Sequence, residues 1–267
     1  MTSNTQTVSD ARITMPGFRL DGRVALVTGA SAGLGAAIGS AMAQAGAEVI
    51  LLARGAEALD QVVADITASG GKARSIVCDV TDSAALRRHV AALPRLDILV
   101  NNTGTNFPEP IAEVSDEHLG TMIDLNIRAI VVAAQAAVGK IRERADRQRG
   151  DSVIINMSSQ MGHVGSPNRT IYCMSKHAVE GFTKALAVEL APEGIRVVSI
   201  APTFVDTPLV RRVVNTPEKQ QFVMSRIPMG QLARLEDVAA AAVYLASPSA
   251  AMVTGTSLLV DGGWTTQ

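Results

Sequence analysis

The 267-residue sequence predicts a single α/β domain in which seven parallel strands form one sheet flanked by helices. Three observations carry that expectation. Short apolar runs alternate with longer amphipathic ones, a glycine-rich loop joins the first run of each kind, and no repeat, linker or low-complexity tract interrupts the series. With 47% hydrophobic and 18% charged residues, a chain of this length buries a sizeable core as one domain.

The first eighteen residues, MTSNTQTVSDARITMPGF, are polar and lack the apolar run of a signal peptide. They read as a flexible tail, residues 1–19, ahead of one folded domain spanning 20–267. The strands follow as RVALVT (23–28), EVILLA (48–53), ARSIVC (73–78), DILVN (97–101), SVIINMS (152–158), IRVVSIA (195–201) and SLLVD (257–261). Helical patterns fall at 33–45, 56–68, 82–92, 116–144, 171–190 and 236–246. The segment 207–226, TPLVRRVVNTPEKQQFVMSR, is helical in composition but broken by Asn215 and Pro217. It follows a strand end, where a lid over a site is expected.

Composition excludes several function classes. The 24 basic and 25 acidic residues leave a net charge of -1, with no excess to hold a nucleic-acid backbone or an anionic membrane surface. Cys78 and Cys173 are too few for a disulfide framework and lack metal-ligand spacing, so a reduced, cytoplasmic setting and no metal are expected. No apolar stretch is expected to span a bilayer, since segments such as VVAAQAAVGKIRER soon run into charge.

The loop TGASAGLG, 28–35, leaves the first strand and opens a helix, which is the context that makes a glycine motif informative. Without side chains at Gly29, Gly33 and Gly35, the backbone can turn tightly, approach a pyrophosphate and pack its helix against the sheet. Ser31 and Leu34 lie in the same loop. A dinucleotide and a Rossmann-type, doubly wound sheet are therefore expected. The second strand ends in Ala53 and Arg54, with no acid to bind an adenosine ribose. Arg54 suits a 2′-phosphate, so NADP(H) is favoured and NAD(H) is the alternative. Asp79, in CDV with Val80, is placed either to accept from the adenine amino group or to cap the next helix, a role for which Thr81 and Asp82 are equally suited.

Tyr172 and Lys176 are four residues apart, so on a helix they share a face. An ammonium beside a phenol favours the phenolate, and such a phenol can pass a proton to or from an alcohol oxygen. Ser159 ends a strand thirteen residues before Tyr172, at the sheet edge where ligands bind.

With the glycine loop, this spacing resembles the short-chain dehydrogenase/reductase family from about Gly22 to Trp264. The resemblance is carried by TGASAGLG, CDV, NNTG (101–104), the asparagine of DLNIRA, the serines before YCMSK, the proline of APTFVDTP and VTGTSLLVDGGW. It implies Tyr172 as general acid/base, with Lys176 lowering its pKa and binding the nicotinamide ribose. It implies Ser159 for the substrate oxygen and Asn126 for a water joining Lys176 to solvent. Asn101 and Gly104 would border the adenosine side, and Pro202, Val205 and Thr207 the nicotinamide. Thr103 and Thr203 depart from the family pattern, which usually has alanine and glycine there.

By family geometry, Gln160, His163, Asn106 and Phe204 are substrate-contact candidates, and Arg169, Arg211 and Arg212 could hold a carboxylate. The C-terminal half is similar to bacterial sugar and sugar-acid dehydrogenases of the gluconate 5-dehydrogenase kind. The implied activity is hydride transfer between NADP(H) and a secondary alcohol or ketone. The rivals are a 3-oxoacyl thioester reductase and a non-catalytic dinucleotide-binding regulator. Small apolar faces at 116–144 and 171–190, together with family habit, suggest a homotetramer.

Overall fold

The computed structural model describes residues 16–145 and 150–267. The expected tail therefore lies outside the described residues up to position 15, while Leu20 is already fully buried. The strands are β1 (Val24–Thr28), β2 (Glu48–Ala53), β3 (Lys72–Val77), β4 (Ile98–Asn101), β5 (Ser152–Met157), β6 (Ile195–Pro202) and β7 (Ser257–Val260). They form one seven-stranded sheet in the order β3-β2-β1-β4-β5-β6-β7, and every pairing is parallel.

The longer helices are α1 (Gly33–Gln44), α2 (Ala56–Ala68), α3 (Ser83–Ala91), α4 (Asp116–Ile123), α5 (Ala129–Arg142), α6 (Thr170–Leu190), α7 (Pro208–Val213), α8 (Pro217–Met224) and α9 (Leu235–Ala246). The period-two alternation of β1 shows why both sheet faces are covered. Ala25 and Val27 pack with Ile38 and Met42 of α1 and Val238 and Ala242 of α9. Val24 and Leu26 point the other way, toward Leu86 and Val90 of α3 and Ala133 and Ala137 of α5. Leu26, Ile50 and Leu99 are fully buried, and each such side chain contributes about 1.5–3 kcal/mol by leaving water.

Side chains cap several helices as their sequences imply. Asp82 accepts from the Ala85 amide at 2.9 Å, and Ser115 accepts from the His118 amide at 3.1 Å. Helix α1 differs: its N-cap is Ala32, which supplies no side-chain acceptor, and its first turn holds no acid. Its N-terminal amides stay available for an external anion.

α4 and α5 form one continuous helix through a π-helical turn at Asp124–Arg128. At 27 residues this helix is long and apolar enough to cross a membrane, contrary to the reading of that stretch as too interrupted by charge. Half of its most apolar window is buried in the domain, and its Asn126 is fully buried and hydrogen-bonded. The expected lid folds as α7 and α8, divided around Asn215, with Thr207 and Thr216 as their caps. Val214, Val223 and Ile227 close onto Trp264 near the C-terminus.

Candidate active site

The carboxyl ends of β1, β4, β5 and β6 open onto a cavity of about 660 Å³. The strand order reverses at β1 and β4, where open α/β sheets bind ligands. A second depression of about 570 Å³, between Arg19 and Lys72 at the opposite sheet edge, contains none of the expected site residues.

The glycine loop fits a dinucleotide. Gly29 and Gly33 have φ of 65° and 57°, values at which a side chain is strained. A Cβ at Gly35 would lie 2.3 Å from the Gly29 carbonyl oxygen, so only glycine lets α1 pack this close. A Cβ at Gly33 would meet nothing within 4 Å, leaving an open approach to the uncapped helix end. Gly33 and Leu34 line the cavity, whereas Gly29, Ser31 and Gly35 shape the turn behind it. Asn102 supports that turn, its amide donating to the Thr28 and Gly29 carbonyls at 3.0 and 3.2 Å.

Ser159, Tyr172 and Lys176 all line the cavity. α6 carries the last two, and Ser159 stands just beyond β5. Lys176 is buried; its Nζ donates to the Met157 carbonyl at 2.9 Å and lies 5.6 Å from the centroid of the Tyr172 ring. Burial pushes its pKa down to about 8, against the opposing charge of Glu180 one turn on.

The tyrosine differs from expectation. Burial pushes the phenol pKa up, while the Ser159 hydrogen bond and the Arg169 guanidinium pull it down without prevailing. The Lys176 ammonium stands beside the ring and is held by the Met157 carbonyl, and burial of the phenol is the larger influence on its pKa. The Ser159 hydroxyl donates to Gln160 Oε1 at 2.7 Å and accepts from the Met161 amide at 3.2 Å.

Asn126 sits on the π-helical turn, outside the cavity lining. Its Oδ1 accepts from the Thr105 amide at 2.8 Å, while Nδ2 donates to the Thr105 carbonyl and to Ser175 Oγ at 2.9 and 3.0 Å. Both amide atoms thus clamp the loop after β4. A Cβ at Gly104 would stand 3.1 Å from Asn126 Oδ1 and 3.7 Å from Lys176 Nζ, so that glycine lets loop, amide and lysine converge.

Toward the adenosine end, Arg54 is exposed at the tip of β2, 3.9 Å from Asp79. Asp79 Oδ1 is taken by the Thr81 amide and hydroxyl at 2.9 and 2.8 Å. Asp82, not Asp79, caps α3. Val80 is buried in the same loop. Asn101 is buried in the sheet and donates to Asn156 Oδ1 at 2.9 Å, so its side chain ties β4 to β5 instead of lining the cavity.

Gln160, Phe204, Asn106 and Arg169 join the cavity wall, as do Pro202, Val205 and Thr207. His163 does not. Its Nε2 lies 3.0 Å from Ser257 Oγ and 3.3 Å from Glu180, behind α6, so the expectation of a substrate contact is corrected. Met157, Met161, Thr105 and Val210 also line the cavity. Nothing in their residue types singles them out, as Met and Val in apolar runs equally suit a core. Thr203 lines the cavity, and the hydroxyls of Thr103 and Thr203 are both buried without a protein partner.

Known proteins share this sequence and geometry. The family model described as enoyl-(acyl carrier protein) reductase matches residues 29–265. D-threitol dehydrogenase of Mycolicibacterium smegmatis is 39% identical over 252 residues, covering 93% of this chain and 95% of that protein. L-xylulose reductase of Bos taurus is 35% identical, covering 92% and 98%. The solved gluconate 5-dehydrogenase of Burkholderia cenocepacia, in complex with NADP and tartrate, has a TM-score of 0.88 at 30% identity, covering 94% and 98%. Fold, glycine loop and matched length agree: the chain belongs to the short-chain dehydrogenase/reductase family of NAD(P)-dependent oxidoreductases.

Proposed function

We propose that the protein interconverts a secondary alcohol and its ketone on a polyol, sugar or sugar acid, using NADP(H). The observation that carries this reading is the meeting of Ser159, Tyr172 and Lys176 in the cavity that Gly33 and Leu34 also line. Its relatives act on both neutral and acidic polyhydroxylated compounds, as their names record.

A bound nicotinamide supplies the hydride acceptor for oxidation and the donor for reduction. The chain's residues handle the rest. Ser159 orients the substrate oxygen by a hydrogen bond, and Tyr172 takes that oxygen's proton in oxidation or returns it in reduction. Lys176 holds positive charge below the phenol and binds the nicotinamide ribose. Asn126 keeps the loop at 104–105 against Lys176. Gly29, Ser31, Gly33, Leu34 and Gly35 cradle the pyrophosphate on the α1 amides, and Pro202, Val205 and Thr207 bound the nicotinamide. Val80, Asp79 and Asn101 frame the adenosine side, and Arg54 meets the 2′-phosphate.

The description of the matching family model favours a second reading, reduction of a carrier-bound acyl thioester. That reading calls for a free basic patch at the entrance. Arg128 is paired with Asp124 and Arg211 with Asp206, which leaves those two cations neutralised.

The same proposal includes a cytoplasmic homotetramer. Exposed Val131 on α5, Met174 and Val188 on α6 and Leu259 on β7 supply apolar surface for it. The test is absorbance at 340 nm over polyols, sugar acids, simple ketones and 3-oxoacyl thioesters, each with NADP(H) and NAD(H). Turnover confined to the thioesters would replace this reading with the second.

A further inference from the structure

Arg169 stands at the N-cap of α6, one turn before Tyr172, half-buried in the cavity wall. Its guanidinium makes no ion pair and donates no side-chain hydrogen bond among the described residues. The groups that feel its charge are Tyr172 and Cys173, both held in their neutral forms by burial. Among the described residues no Asp or Glu lines the cavity, and its one other cation is Lys176. A guanidinium partly withdrawn from water without an anion is costly, and the described residues supply none.

The backbone is bent to put it there. Asn168 has φ 58°, the one positive value outside glycine among the described residues, and its carbonyl accepts from the Glu109 amide at 2.9 Å. Glu109 holds His118 through Oε1, lies outside the cavity lining and is not among the groups that act on Arg169. Asn106 and Thr203 line the same cavity, while Ser158 Oγ is packed toward Gly162. An unpaired cation in a wall that holds no carboxylate matches a ligand that brings its own.

We infer that Arg169 is the specificity-determining residue of this site: it pairs with the carboxylate of a polyhydroxylated acid whose secondary alcohol reaches Ser159 and Tyr172. This rests on the function proposed above and narrows its substrate to hydroxy acids over neutral polyols. The planar fork of one guanidinium matches one carboxylate in two parallel hydrogen bonds.

The experiment compares gluconate with its neutral alditol in NADP-dependent oxidation by the wild type, Arg169→Gln and Arg169→Lys. The wild type should favour the acid in kcat/KM. Arg169→Gln should lose about ten- to a hundredfold on the acid, mainly through KM, and little on the alditol. Arg169→Lys should recover part of the loss. Equal use of both compounds by the wild type, or an equal loss on both in the variant, overturns the inference. Calorimetric titration of gluconate into the NADPH-loaded protein, where the alcohol has no hydride acceptor, gives a second readout that needs no turnover. Binding weakened at least tenfold by Arg169→Gln supports the assignment even where oxidation fails, whereas binding that is absent or unchanged overturns it. Absence of turnover on every alcohol and ketone would instead sink the oxidoreductase reading.

Discussion

The Lys176 ammonium lies over the Tyr172 ring, 5.6 Å from its centroid, and is tethered to the Met157 carbonyl 2.9 Å away. The pair shares one face of α6, and burial pushes the phenol pKa up. Tyr172→Phe keeps the ring and removes the proton. NADPH affinity, measured by fluorescence titration, should stay within about threefold, while turnover should fall by about 10²–10⁴. A variant retaining a tenth of wild-type activity would remove Tyr172 from proton transfer.

Lys176 has its pKa lowered from 10.5 to about 8 by burial. Between those values the unfolded chain binds a proton that the folded chain does not, so stability rises with pH across that window. Below about 8 the burial penalty, up to about 3 kcal/mol, is fully present. Urea midpoints from pH 7 to 10 should therefore climb for the wild type relative to Lys176→Met. Parallel curves would mean that the ammonium is not desolvated. Because Glu180 raises this pKa, Glu180→Gln should move the window to lower pH.

Arg54 sits beside Asp79 at the tip of β2, exposed and within reach of a ligand. Arg54→Asp removes the cation expected to meet the 2′-phosphate and adds repulsion. Its Kd for NADPH should rise about ten- to a hundredfold, with NADH binding little changed. Unchanged NADPH affinity would show that the phosphate is held elsewhere.

Gly35→Ala would place a Cβ 2.3 Å from the Gly29 carbonyl oxygen and 2.6 Å from Asn102 Nδ2. The loop must shift, at a cost of about 1–3 kcal/mol, and cofactor affinity should fall with it. A urea midpoint and an NADPH titration both matching the wild type would show that the turn is not as tight as the structure makes it.

His163 bonds to Ser257 and Glu180 rather than facing the cavity. His163→Ala should leave substrate KM within about twofold and lower stability by about 1 kcal/mol. A tenfold rise in KM with unchanged melting would return it to the substrate site.

The strands, the glycine turn and the Tyr172–Lys176 face could be read from the chain because each rests on local geometry. Strands show as apolar runs, Gly29 and Gly33 meet a φ requirement within a few residues, and a four-residue spacing settles which side chains share a helix face. Even the segment 207–226, where Asn215 and Pro217 break a helical composition, folds as two short helices. What neighbouring residues could not reveal was the partner each polar group finds. His163 meets Ser257 across 94 residues, Asn101 meets Asn156 across 55, and Asn126 clamps Thr105 from a π-helical turn. The direction of the Tyr172 shift and the unpaired state of Arg169 likewise depend on what surrounds them in space. Residue type and spacing fix which chemistry a side chain can perform, whereas burial and the partners brought by distant segments set its charge, its aim and its freedom to bind.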